Sequence, residues 1–193
     1  MTKILFIGNS YTYFNDMPDI FAHICRENGK DVTADSVTCG GYTLEQFVSE
    51  EDEYGAQMRK MLVKGRYDYA VIQEQSVRPA AETDVFLDCV NKLADLIRAN
   101  GAEPVLYETW ARAEGSNELK ELGWSRDQMQ AQLRTAYEKA AENTGAKLVY
   151  AGDRVSEAYK NGLDVICEDK SHPTKKGSEI IAAEFYRILK DLL

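Results

Sequence analysis

Two histidines occur in the 193 residues, and one of them carries a partner in its own segment. His172 lies in Asp169-Lys170-Ser171-His172-Pro173, three residues after an aspartate. In a loop, that spacing lets the carboxylate fold back onto Nδ1, fix the tautomer and stabilise the imidazolium. Nε2 is then free to take a proton. The matching hydroxyl is Ser10, in Gly8-Asn9-Ser10-Tyr11-Thr12, where an apolar strand gives way to a helix. A serine there can project its hydroxyl and its own N–H from the sheet edge. Together the three residues describe an activated serine nucleophile. Each also has a plainer reading: Gly, Asn and Ser are common turn formers, and Asp169 and Ser171 can cap the helix that follows. His23, beside Ile20, Phe21 and Ile24, reads as a structural residue on a helix.

Two further segments offer hydrogen-bond donors. In Cys39-Gly40-Gly41 a glycine pair lets the backbone approach a ligand and present an N–H, or makes a tight turn. In Gln73-Glu74-Gln75-Ser76 uncharged amides at a strand end can face a developing oxyanion, or only solvent. Tyr11, Tyr13 and Phe14 follow Ser10, Trp110 and Arg112 follow the fourth strand, and Trp124 comes later. Aromatic rings at a site mouth stack on sugars or pack on acyl chains, and elsewhere they build core. Arg78 can meet an anionic substrate group or form a surface ion pair. The substrate-binding candidates are thus Tyr11, Trp110 and Arg78. No HExxH, calcium loop or Cys/His cluster occurs, so neither a metal nor another cofactor is expected.

These residues need elements to hold them, and strands alternate with helices from end to end. Lys3 to Gly8 reads as a strand. Met17, Ile20, Phe21 and Ile24 follow at helical spacing, closed by Gly29. Further strands are expected over Val32–Val37, Tyr69–Ile72, Pro104–Tyr107 and Lys147–Tyr150. Short helical pieces fill Leu44–Lys64. A strong helix carries Phe86, Leu87, Val90, Leu93, Leu96 and Ile97, capped at Gly101. Trp110–Trp124 reads as a long polar loop. Helices are expected over Gln128–Asn143, Asp153–Lys160 and Thr174–Leu192, the last led by Pro173. Alternation of this kind predicts an α/β fold: one domain over residues 1–193, a five-stranded parallel sheet between two helical layers. Sites in such sheets form beyond the C-terminal ends of the strands. All four candidate segments fall there.

Composition narrows the function class. Hydrophobic residues make up 44% and charged residues 28%, which excludes disorder. The net charge of −9 argues against nucleic-acid binding and against docking on anionic membranes. No apolar run approaches a membrane span. Cys25, Cys39, Cys89 and Cys167 match no zinc or CxxC spacing and read as reduced thiols of a cytoplasmic protein.

On these blocks the sequence resembles the SGNH hydrolase superfamily, the GDSL-like esterases and lipases, over residues 4 to 190. That family carries a Ser in its first block, a Gly in its second, an Asn in its third and Asp-x-x-His in its last. The matching positions are Ser10, Gly41, Gln75, and Asp169 with His172. Two departures stand out. Gly-Asn-Ser replaces Gly-Asp-Ser, and Gln75 takes the place of the third-block Asn, with Gln73 as a second candidate. The resemblance implies a three-layer α/β/α fold and the triad Ser10, His172 and Asp169. It also implies an oxyanion hole from the N–H groups of Ser10 and Gly41 and the Gln75 amide. Its expected substrate is a small soluble ester, with a short acyl group such as acetyl, possible on a carbohydrate. The competing expectations are a flavodoxin-like binding module and an inactive member that only binds ligand. The sequence does not fix the oligomeric state.

Overall fold

Ile4, Leu5, Phe6 and Ile7 are all fully buried. A strand with no solvent face is what a sheet covered on both sides requires. The computed structural model describes residues 1–193 and contains five strands: β1 (Thr2–Gly8), β2 (Val32–Thr38), β3 (Tyr69–Ile72), β4 (Glu103–Tyr107) and β5 (Lys147–Val149). All neighbours pair in parallel, in the order β2-β1-β3-β4-β5. In chain order the helices are α1 (Ser10–Tyr13), α2 (Met17–Glu27), α3 (Leu44–Val48), α4 (Glu53–Gly65), α5 (Arg78–Ala81), α6 (Thr83–Ala99), α7 (Asn117–Leu122), α8 (Arg126–Thr144), α9 (Ala151–Lys160) and α10 (Lys175–Leu189).

The period-2 alternation of β1 divides the core. Leu5 and Ile7 join side chains of α3, α4, α6 and α8. Ile4 and Phe6 join those of α2, α9 and α10. The sheet is thus the middle of three layers. The chain leaves β1 for β2 on one side and later returns to β3 on the other. Loops after β1 and β3 therefore diverge and open a crevice at their carboxyl ends, the switch point of this strand order. No helix is long and apolar enough to cross a membrane.

Two local expectations need correction. Trp110–Trp124 is not a polar loop throughout. Trp110 and Ala111 are fully buried, and α7 forms within the segment between Ser116, whose hydroxyl accepts from Leu119 N, and Gly123 at φ 66°. Leu119 seals it by packing with Ala111, Met129 and Leu133. A helix this short leaves too few apolar positions to show a period. Pro173 does not lead α10: Thr174 is the cap, accepting from Gly177 N, and Pro173 forms a bridge with Ile166. α1 runs into a 3-10 turn at Phe14–Asp16, with Asn15 and Asp16 both left-handed.

Candidate active site

The turn after β1 is shaped by close approach. A side chain at Gly8 would collide with Gln73 Oε1 and Thr12 Oγ1. Asn9 caps α1: its Oδ1 accepts from Tyr11 N at 3.1 Å, and its Nδ2 donates to the Tyr42 carbonyl at 2.8 Å. An aspartate could make only the first of these bonds, so asparagine here also ties the nucleophile turn to the loop after β2. Ser10 is the first residue of α1, and its N–H makes no hydrogen bond within the chain.

His172 Nε2 lies 2.8 Å from Ser10 Oγ, and His172 Nδ1 lies 2.6 Å from Asp169 Oδ2. The other carboxylate oxygen accepts from the N–H groups of Ser171 and His172, both at 2.9 Å. Partial burial pushes the Asp169 carboxyl up. The hydrogen bond from His172, the two backbone donors and the imidazole charge outweigh it and hold the pKa below the usual carboxylate range. Asp169 therefore stays ionised and orients the ring. The turn is closed by Cys167 N donating to His172 O at 2.8 Å, with Lys170 left-handed at φ 64°. Phe14 stacks on the imidazole, centroids 4.3 Å apart.

The donors opposite the nucleophile divide cleanly. Gly41 stands at φ 75°, and its N–H makes no hydrogen bond within the chain. Gln73 is fully occupied: Oε1 accepts from Asn9 N and from Thr12 Oγ1, both at 2.8 Å, and Nε2 donates to the Glu74 carbonyl. It braces the nucleophile turn from below. Gln75 is different. Its Oε1 accepts from Val77 N at 3.0 Å and Arg78 N at 3.3 Å, which fixes the amide orientation and leaves Nε2 without a partner. Glu74, fully buried between them, accepts from Leu44 N at 3.0 Å and Gln75 N at 2.6 Å through Oε1. Burial pushes its pKa up to about 7, against the lowering effect of those two N–H groups and of Arg78.

A cavity of about 180 Å³ opens here, lined by Ser10, Tyr11, Gly41, Gln75, His172 and Arg112 among others. Tyr11 lines this cavity. Trp110 is not: it is fully buried, stacked on Tyr11 with centroids 4.2 Å apart, and donates from Nε1 to the Ser171 carbonyl at 3.0 Å. It supports the site from behind. Arg78 also lies outside the cavity, held by Glu45 and Glu82. Arg112 is the arginine that reaches the cavity. Its place after β4, on the active edge, was the available signal. His23 is exposed and pairs with Glu27. A larger depression of about 630 Å³ lies between α8, α9 and α10. Its arginines are ion-paired with Asp153, Glu157 and Glu184, and it holds no histidine or cysteine beside a serine. The smaller cavity is the one that brings Ser10 and His172 together.

No protein-family model and no curated protein matches the chain. Solved structures do. A protein described as "a putative SGNH hydrolase from Slackia heliotrinireducens" is 29% identical, with 97% of this chain and 98% of that chain covered and a TM-score of 0.86. The chain belongs to the SGNH hydrolase superfamily. It is an enzyme of the serine hydrolase kind. Two other neighbours share the SGNH hydrolase fold. A DUF4886 family protein from Bacteroides uniformis is 20% identical, covering 98% of this chain and 83% of its own, with a TM-score of 0.84. The acetyl xylan esterase AlAXEase is 15% identical, covering 96% and 98%, with a TM-score of 0.71. In this SGNH hydrolase the last-block pair Asp169 and His172 is joined to Ser10, a connection that a flavodoxin-like binding module would leave without purpose.

Proposed function

We propose that this enzyme hydrolyses short acyl esters, acetyl above all, of a small soluble alcohol such as a carbohydrate. The observation that carries the reading is the continuous chain from Ser10 Oγ through His172 to Asp169, at 2.8 and 2.6 Å. Ser10 Oγ attacks the ester carbonyl carbon while its proton passes to His172 Nε2. The oxyanion is held by the N–H groups of Ser10 and Gly41 and by Gln75 Nε2, three donors with no other partner in the chain. Collapse of the intermediate expels the alcohol, which takes the proton back from His172. Water then repeats the sequence on the acyl-enzyme. General acid–base help contributes on the order of 10²–10⁴ in rate, and one oxyanion donor about 3–4 kcal/mol.

The cavity of about 180 Å³ supports a short acyl group, being smaller than the roughly 300–1,000 Å³ of drug-sized sites. The shared fold with an acetyl xylan esterase supports acetyl and a sugar alcohol. Four unpaired cysteines support a cytoplasmic location. The test is hydrolysis of p-nitrophenyl acetate by the wild type, Ser10→Ala and His172→Ala together. Both variants are expected at background. Equal rates in all three proteins would overturn the assignment.

A further inference from the structure

Arg112 is the one arginine or lysine that lines the cavity, and neither the triad nor the oxyanion donors employ it. Its residue exposure is only 8%, yet it lines the same cavity as Ser10 and His172. Its buried Nε has no acceptor. Its one ion pair is Glu118 Oε1, 3.2 Å from Nη2, and its Cζ lies 5.7 Å from the centroid of the Tyr11 ring. A guanidinium has five donors in a planar fork, and taking it out of water is costly unless an acceptor returns those bonds. Arg78, outside the cavity, shows what satisfaction looks like: it is gripped by two carboxylates. Glu118 offers Arg112 a single contact from a side chain that is 38% exposed. Arg126 is also buried with free nitrogens, but it lies over Tyr159 and far from any nucleophile's cavity.

We propose that Arg112 makes this an esterase for anionic substrates, binding a carboxylate, phosphate or sulfate carried close to the scissile ester. The proposal rests on the reading of Ser10 as an esterase nucleophile. The cavity is small, so the anion and the ester must lie within a few bonds of each other. The protein carries a net charge of −9, which repels anions at long range, so a buried cation is the means by which an anionic ester would be accepted.

Two matched pairs of esters test this. Phenyl acetate against 4-acetoxybenzoate places the charge on the leaving alcohol. p-Nitrophenyl butyrate against p-nitrophenyl hemisuccinate places it on the acyl side. Each kcat/KM is divided by the ester's own hydroxide rate. The wild type is expected to prefer the acidic member of one pair by roughly 10-fold or more, the size of one charge-assisted bond. The pair that responds tells which side carries the anion. Arg112→Gln is expected to remove the preference, and Arg112→Lys to keep part of it, which covers the case where Gln disturbs folding. Glu118→Gln breaks the ion pair but leaves the guanidinium, and is expected to keep the preference. No preference in either pair, or an equal loss on acidic and neutral esters in Arg112→Gln, overturns the proposal. So does a Glu118→Gln variant that behaves as Arg112→Gln does. Chemical-shift titration of Ser10→Ala with benzoate and with benzamide reads the same site without turnover. Equal binding of the two overturns the anion site. Tighter benzoate binding, with no ester hydrolysed by the wild type, leaves the anion site standing and sinks the esterase reading.

Discussion

The turn that carries Asp169 and His172 and the segment from Gln73 to Gln75 both reach the cavity at Ser10, but different forces hold them. The first is tied by its own neighbours. Asp169 accepts from residues two and three places on, and Cys167 closes the turn onto His172. Its carboxylate is half exposed. In the second, Gln73 and Glu74 are buried and tied across the chain, and Gln75 beside them is partly buried and accepts from Val77 and Arg78, two and three places on. Gln73 reaches Asn9 and Thr12, 64 and 61 residues earlier, and Glu74 reaches Leu44, 30 residues earlier. Orientation of His172 by Asp169 is thus a local property that tolerates water. The footing on which Gln75 stands, Gln73 and Glu74, is a property of the whole sheet edge, kept in a low-dielectric interior where each hydrogen bond is stronger and each missing one costs more.

The contrast can be broken from either side. On the acid–base side, Ser10→Ala is expected to lower kcat by on the order of 10⁴–10⁶, with circular dichroism and melting temperature unchanged. A variant that keeps its rate would remove Ser10 from the mechanism. On the oxyanion side, Gln75→Glu keeps the Oε1 cap on Val77 and Arg78 but replaces the free donor with an oxygen. We expect kcat to fall by about 10²–10³ with little change in KM. A change in KM alone would place the oxyanion elsewhere. Gln73→Leu strips a buried acceptor from Asn9 and Thr12. It is expected to lose about 2–4 kcal/mol of stability in urea titration, an effect with no counterpart for substitutions on the exposed Asp169 side.

The smallest effect concerns pH. Folded Glu74 holds its proton up to about 7, whereas an unfolded glutamate releases it at about 4.3. The folded state binds more protons across that window, so Glu74's contribution to stability is full below it and is lost as pH rises through about 7. Glu74→Gln removes the titration. Its melting temperature relative to wild type should climb by roughly 5–10 °C between about pH 5 and pH 8. A difference that is flat across that range would show that Glu74 does not carry the shifted proton.

The same contrast explains what the sequence made legible. Apolar runs such as Ile4–Ile7 need burial on two faces, and that requirement is written in consecutive residues. Asp169 and His172 stand three apart, so their contact follows from a turn. Gln73 and Gln75 could not be told apart by type or spacing. What separates them is whether distant groups, Asn9 and Thr12, occupy the amide. Arg78 and Arg112 pose the same difficulty: each follows a strand at the active edge, and only the positions of Glu45 and Glu82 decide which of them is taken. Trp110 misled for a related reason. An aromatic ring near a site stacks on whatever flat surface the fold supplies, and here that surface is Tyr11.

The closure of Cys167 onto His172, with Ile166 bridged to Pro173, has a consequence for how this enzyme fails. His172 and Asp169, the proposed general base and its orienting carboxylate, ride on one short hairpin-like turn, outside the sheet that carries Ser10. Local opening of that turn, cheaper than global unfolding, would withdraw both at once. Inactivation under mild denaturant is then expected as a single reversible event that precedes loss of the fold, checked by activity against circular dichroism in one titration. The partly opened protein is silent, with its serine present and nothing to activate it.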